Sequence, residues 1–314
     1  MGDQPRKHHT VPQFYLAGFT KSDSEDGDLW VLDQERQKSW KSTPKQSAHI
    51  RDFHRIEAKP DGDPMIYEKT FAVFESKWSP VVRQVIQRRE IPDDESFSDL
   101  MMFVAFMAVR VPRIREIQSE FVDRVSKKEL HATFSTEVGR TSFRKFIEES
   151  GQVLSDTEFN EMVTYGLSGA FEVDFEQTWH VQQMGQSALY LEPILSQREW
   201  VLWIADDDAP DLICSDSPVV PTLASSVAGP NTPGFATPNT VVSIPLNRRI
   251  ALVSMMEKRL PPRRLDRTTI GAINSATGKH ANQLYMPEND FVWQMKNRQI
   301  GNANDLLSFL KNGR

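Results

Sequence analysis

Two adjacent histidines, His8 and His9, stand at the head of an apolar and aromatic run, Thr10-Val11-Pro12-Gln13-Phe14-Tyr15-Leu16-Ala17-Gly18-Phe19. Imidazole titrates near neutrality and binds divalent metals, so either histidine is a candidate general base or metal ligand. Neighbouring side chains diverge in an extended segment, so one of the two is expected to face any site. Gln13 is the nearest polar companion and a candidate substrate contact. Far along the chain, Cys214-Ser215-Asp216-Ser217-Pro218 offers a carboxylate at the end of an apolar segment. Asp216 can be catalytic there, or it can bond its own turn. Ser215 has no nucleophile elbow around it and reads better as a turn hydroxyl.

Arg110 closes the most apolar stretch of the chain, Leu100–Val109. A buried guanidinium needs an anionic partner: Glu75 or Asp216 as a bridge, or the phosphate or carboxylate of a substrate. Arg113 follows one turn later, and Asn274 sits in a polar patch of a late helix. His8, His9, Asp216, Glu75 and Arg110 are therefore the catalytic candidates. Gln13, Arg113, Ser215 and Asn274 are the substrate-binding ones. Pro60-Asp61 with Glu75-Ser76-Lys77 also matches the Pro-Asp…Glu-x-Lys signature of a nuclease superfamily. That chemistry needs Glu and Lys on one face of a strand, whereas these residues fall in a helix-period segment.

The elements that must place these residues read as follows. Leu29–Leu32 and Lys38–Thr43 form a hairpin around Asp33–Gln37, and Ala48–Glu57 holds another strand. Tyr67–Arg88 has helical spacing with a kink or break expected at Pro80. A helix starts at Pro92–Glu95 and leads into Leu100–Val109, apolar all round and so buried. Pro112 interrupts it before a more polar helix to about Phe134. Ser155-Asp156-Thr157-Glu158 is a capping box, and Val173–Gln197 a long helix. From Trp200 the pattern changes. Trp200–Ala205, Leu212–Cys214, Thr240–Pro245 and Ile250–Met255 read as strands of one sheet, with a proline-rich loop over Pro221–Asn239. Thr268–Leu284 reads as a helix, Phe291–Met295 as a strand and Ala303–Lys311 as a terminal helix. Trp30, Trp78, Trp179, Trp200 and Trp203 are expected in the core, and Arg259, Arg263 and Arg264 in a solvated loop.

The expected architecture is α+β: strands of mixed sheets from both ends of the chain around a mainly helical middle. The middle covers about residues 65–198 and the strand-rich part about 199–300, within one large domain over 1–314. Charged residues are 25% and apolar residues 39%, which excludes a disordered chain. A net charge of −6 argues against the whole surface being drawn to nucleic acid or anionic membrane. Local basic clusters remain at Arg83–Arg89, Arg110–Arg115 and Lys258–Arg267. Cys214 alone cannot form an intrachain disulfide or a multi-thiolate zinc site. With no apolar signal region, the expected setting is a reducing cytoplasm without a membrane partner.

Several segments in order carry a family resemblance. They are His-His-x-Val-Pro-x-Phe-Tyr-Leu at residues 8–16, Trp30-Val31-Leu32-Asp33, the helix with Glu68 and Glu75, and Arg110-Val111-Pro112-Arg113. Trp200, Cys214–Val219, Ile244-Pro245-Leu246 and the helix holding Asn274 complete the set. Together they resemble the bacterial domain-of-unknown-function family 4238 over about residues 6–290. Cys214 and Ser217 depart from the family's usual Thr-Ser-Asp-Asn-Pro. The resemblance implies no reaction, so the residues carry two readings. One is a hydrolase, such as a defence nuclease, acting on a phosphate-containing substrate such as nucleic acid, with or without a divalent metal. The other is a non-catalytic binding or interaction protein whose polar residues form a structural network. They differ in whether His8 or His9, Arg110 and Asp216 line an open cleft or seal against one another.

Overall fold

A computed structural model describes residues 6–57, 62–224, 233–295 and 299–311. In chain order the elements begin with β1 (Lys7–His9), α1 (Gln13–Ala17), β2 (Leu29–Asp33), β3 (Lys38–Ser42) and β4 (His49–Arg51). Helices follow: α2 (Ile66–Arg88), α3 (Glu95–Val109), α4 (Pro112–Phe134), α5 (Glu137–Glu149), α6 (Asp156–Ser168) and α7 (Gln177–Ser196). The chain then returns to strands: β5 (Glu199–Ala205), β6 (Cys214–Ser215), β7 (Val220–Leu223), β8 (Thr240–Asn247), β9 (Ile250–Met255) and β10 (Arg263–Leu265). It ends with α8 (Arg267–Gly278), β11 (Gln283–Met286), β12 (Trp293–Gln294), β13 (Ile300–Gly301) and α9 (Ala303–Lys311). The class is α+β, as the sequence indicates.

The fold divides into two compact units, Met1–Arg113 with Val181–Arg314, and Ile114–His180. The smaller unit is helical. Its α6 starts with the expected capping box: the Ser155 hydroxyl accepts from the Glu158 N–H while the Glu158 carboxylate accepts from the Ser155 N–H. Such reciprocal bonds satisfy two donors that a helix start leaves orphaned. Phe134, Ile147, Phe159 and Val163 form its core. The helix α5 was not expected. Thr136 caps it by accepting from Gly139 N–H at 3.1 Å.

The larger unit holds two main sheets. One has the order β10-β5-β9-β8-β7, with β10 parallel to β5 and the other pairs antiparallel. The other has the order β3-β2-β11-β6 and so joins strands from both ends of the chain. The expectation that Leu212–Cys214 shares a sheet with Trp200–Ala205 is therefore corrected. Its strand, β6, pairs with β11, Cys214 opposite Tyr285.

The expected helix over Thr268–Leu284 also ends early, at Gly278. Beyond it the burial alternates with a period of two. Leu284 and Met286 join one core cluster and Tyr285 the other, the signature of a strand with both faces covered. Val173–Gln197 starts its helix four residues late, at Gln177. Arg263 and Arg264 lie exposed on β10 rather than in a loop. Of the proline-rich stretch, Val220–Leu223 is a strand, and residues 225–232 lie outside the described residues.

The main core surrounds α3. Phe103, Val104 and Ala105 are fully buried, as an all-apolar helix requires. Phe103 packs against Phe14, Tyr15 and Trp78. This seats α1, and with it the neighbouring strand β1, on α3. Helix α2 continues through Pro80 without the expected break. Phe71, Trp78, Val82 and Val85, on both sides of the proline, are buried in the same core and anchor both halves of the helix there.

Replacing Phe103 by Ala removes the ring on which α1 rests and leaves a cavity. The expected loss is about 3–5 kcal/mol of unfolding free energy, measured by denaturant unfolding. A loss below about 1 kcal/mol would show that α1 is seated by other contacts.

Candidate functional site

The N-terminal strand is held by β4, in antiparallel register His8↔Ile50 and His9↔His49. Thr10 N–H to Ala48 O and Asp52 N–H to Arg6 O, both 2.8 Å, extend the ladder at its two ends. Because side chains alternate along a strand, His8 and His9 serve different faces. His8 is fully buried, and its Nδ1 accepts from the backbone N–H of His54 at 2.8 Å. The two rings stack with centroids 5.5 Å apart. His54 in turn meets Glu68 of α2, Nδ1 to Oε2 at 2.6 Å. Aromatic edges of Phe53 and Phe71 close around His54. His9 is half-buried. Its ring lies 5.8 Å from that of His49, and its Nε2 meets the Gln13 amide nitrogen at 2.8 Å.

Arg110 connects these groups. It is the C-cap of α3, where the chain turns into α4, and it is 2% exposed. Its guanidinium donates to the Glu75 carboxylate and to the His9 backbone carbonyl, and lies over the Phe71 ring at 5.2 Å. One buried cation thus binds α3 to α2 and to β1. Glu68 and Glu75 stand seven residues apart on α2, two turns along one face. Glu75 is committed to Arg110. Lys77 pairs with Asp99 at 2.7 Å, so Glu75 and Lys77 do not share a site. Pro60 and Asp61 lie outside the described residues.

The electrostatics of the cluster are uneven. Burial pushes the Glu68 carboxyl up to about 7; Arg110 opposes this and Glu75 adds to it. His9 moves the other way, to about 4. Burial is the main cause, with His49 and Arg110 beside it, so the ring is neutral at pH 7.

His8, His54 and Glu68 form the one group found among the described residues with three ligand atoms within 4.8 Å of one another. A divalent ion held by all three is therefore conceivable in donor type. In this arrangement, however, His8 Nδ1 is bonded to a backbone N–H and His54 Nδ1 to Glu68. The cluster as it stands is a hydrogen-bonded relay.

The remaining candidates belong to the sheet. The Asp216 carboxylate accepts from the backbone N–H groups of Asn282 and Gln283 at 3.0 and 3.2 Å. The Asp216 N–H donates to the Gln283 carbonyl at 3.1 Å. Ser215 Oγ accepts from Ser217 N–H, the turn-hydroxyl role. Asn274 accepts from Ile213 N–H and donates to the carbonyls of Asp211 and Val292. Arg113 is half-buried at the start of α4. The structure thus gathers His8, His9, Gln13, Glu75 and Arg110, and shows Asp216, Ser215 and Asn274 bonded to their own part of the sheet.

A family model described as "Protein of unknown function (DUF4238)" matches residues 7–305. The chain belongs to the DUF4238 family. Comparison with curated proteins and with solved structures gave no match. In this DUF4238 chain, sequence reasoning missed His49 and His54 and named Glu68 only within the family pattern. A signal was present: four of the seven histidines fall within residues 8–54.

Two tests follow from this geometry. Arg110→Met leaves Glu75 facing apolar surroundings without its cation, and should cost about 3–5 kcal/mol. Adding Glu75→Leu should restore part of the loss in a double-mutant cycle by urea unfolding; additive losses would show that the pair is not coupled. Glu68 binds its proton more tightly folded than unfolded, so its contribution to stability is present at acid pH and is lost as pH rises from about 4.5 through 7. His9 has the opposite slope, losing stability as pH falls from 6.5 through 4. Glu68→Gln should therefore gain stability relative to the wild type between pH 5 and 7.5, on the order of 1 kcal/mol after screening. A difference that stays constant with pH would contradict the assignment.

Proposed function

We propose that this protein is a hydrolase acting on a phosphate-containing substrate, with nucleic acid as the first class to test. Its site is the cluster where β1, β4 and α2 meet. The observation that carries this reading is Glu68: a partly exposed carboxyl held at 2.6 Å against a buried histidine. It stands beside a ribbon whose outer positions pair Lys7 with Arg51. A carboxyl with its pKa near 7 can take a proton from an attacking water and return it to a leaving group. His54 fixes the orientation of that carboxyl. Exposed Lys7 and Arg51, on the His9 face of the ribbon and with Arg51 also 3.4 Å from Asp52, add positive charge that can draw a phosphate ester toward this edge. The neutral His9 ring, with Gln13, offers hydrogen-bonding contacts on the same strand. Arg110 acts here as a positioning residue, since Glu75 and the His9 carbonyl occupy it.

A defence role goes with such a chemistry; a bacterial setting follows the family resemblance, and a reducing cytoplasm accords with a single, buried cysteine, Cys214. No helix among the described residues is long and apolar enough to cross a membrane.

A second reading, a non-catalytic interaction protein, is favoured by a different observation. Arg110 is sealed, and Asp216 and Asn274 are spent on backbone groups.

Purified protein assayed on RNA, DNA and a phosphodiester, with Mg²⁺, with Mn²⁺ and with chelator, separates the two. The hydrolase reading expects turnover that falls at least 100-fold in folded Glu68→Gln. It expects a KM that rises several-fold in Lys7→Glu. No turnover on any substrate, or full activity in Glu68→Gln, sinks it.

A further inference from the structure

A cavity of about 880 Å³ opens between α8, the β12–β13 pair and α9, away from the histidine cluster. Its walls are Leu284, Phe291, Trp293, Leu306, Phe309 and Leu310. Two polar residues of those walls are already satisfied. Ser275 Oγ donates to the Gln294 carbonyl and accepts from its N–H. Asn274 is bound to the carbonyls of Asp211 and Val292 and to Ile213 N–H. With the Gln34 amide bonded to the carbonyls of Gly278 and Ala281 as well, an occupant finds a chamber whose walls are mainly apolar.

The rim is different. Lys279, the C-cap of α8, is exposed and forms no ion pair among the described residues, and His280 stands next to it. A chamber of this size with apolar walls and one cationic edge has the make-up of a small-molecule site. We propose that it binds an amphipathic carboxylate, its apolar body among Phe291, Trp293 and Phe309 and its anionic end at Lys279. The apolar body of such a ligand supplies most of the affinity, in proportion to the methylenes it buries, and Lys279 selects the charge.

Gly278 gives a way to close the chamber. A side chain there would first meet the Leu284 methyls at 3.4 and 3.6 Å, ordinary contact distances, so a larger residue extends into the cavity without a backbone clash. The test is calorimetric titration of the full chain with dodecanoate, and with dodecanol as the uncharged control. The proposal expects one dodecanoate per chain. It expects binding weakened at least tenfold in Lys279→Glu with dodecanol unaffected, and both ligands lost in Gly278→Phe. The melting temperature of each variant shows that it is folded. No binding to wild type, several copies bound per chain, or binding unchanged in folded Gly278→Phe would overturn it. None of these outcomes depends on hydrolytic activity.

Discussion

Arg110 is a full positive charge placed where water does not reach, and the geometry around the N-terminus follows from how that charge is neutralised. Desolvating a guanidinium costs several kcal/mol unless its donors are taken up. Here the takers for its two terminal nitrogens come from two different elements, the Glu75 carboxylate on α2 and the His9 carbonyl on β1, while Nε has no partner among the described residues. Any displacement of β1 therefore takes an acceptor away from a buried cation and leaves one of its N–H donors unfilled. A terminal strand of three residues would ordinarily fray. This one is fixed by the pairing with β4, by Arg110 beneath it, and by Phe14 and Tyr15 packed on Phe103 just beyond it.

Fixing β1 has a chemical consequence. With the strand in place, His8 and His9 cannot both turn to one side. His8 goes inward to the His54 backbone and His9 stays at the edge with Gln13. The inward histidine positions a second one, and that one positions Glu68. The same burial acts with opposite sign on the two partly covered groups. It raises an acid and lowers a base, because in each case it disfavours the charged form. The result near neutral pH is an uncharged imidazole and a half-protonated carboxyl beside a sealed Arg–Glu pair. Proton transfer can be had from such a set without moving a full charge into the interior.

What the sequence made legible divides along physical lines. The apolar run 100–109 identified its own burial, and an arginine at its end had to be paired; Glu75 was one of the two named partners. The capping box at Ser155 and the hairpin of β2 and β3 are local signals, and local signals are readable one segment at a time. His54 was not readable this way. Its role depends on β1 lying beside β4, a pairing across some forty residues that no local pattern specifies. The helix assigned through Leu284 failed for a related reason. Whether Leu284, Tyr285 and Met286 form a helix turn or a strand is decided by the two core clusters that take them in alternation.

Asp216 shows how an attractive motif can be absorbed by the fold. A strand of two residues, β6, has little pairing of its own to hold it against β11. The carboxylate just past its end supplies two further bonds, to consecutive backbone N–H groups of residues 282 and 283. Those donors lie where the chain leaves α8 and enters β11, at the start of a strand that is central in its sheet. An acid at this turn thus acts as a splice between β6 and β11. The same residue types, Ser-Asp-x-Pro, would serve a catalytic carboxylate, and the spacing alone does not distinguish the two. The direction of the bonds does: an acceptor aimed at backbone donors is spent on geometry. The Glu68 carboxyl, aimed at a histidine side chain and partly open to solvent, is not spent in this way.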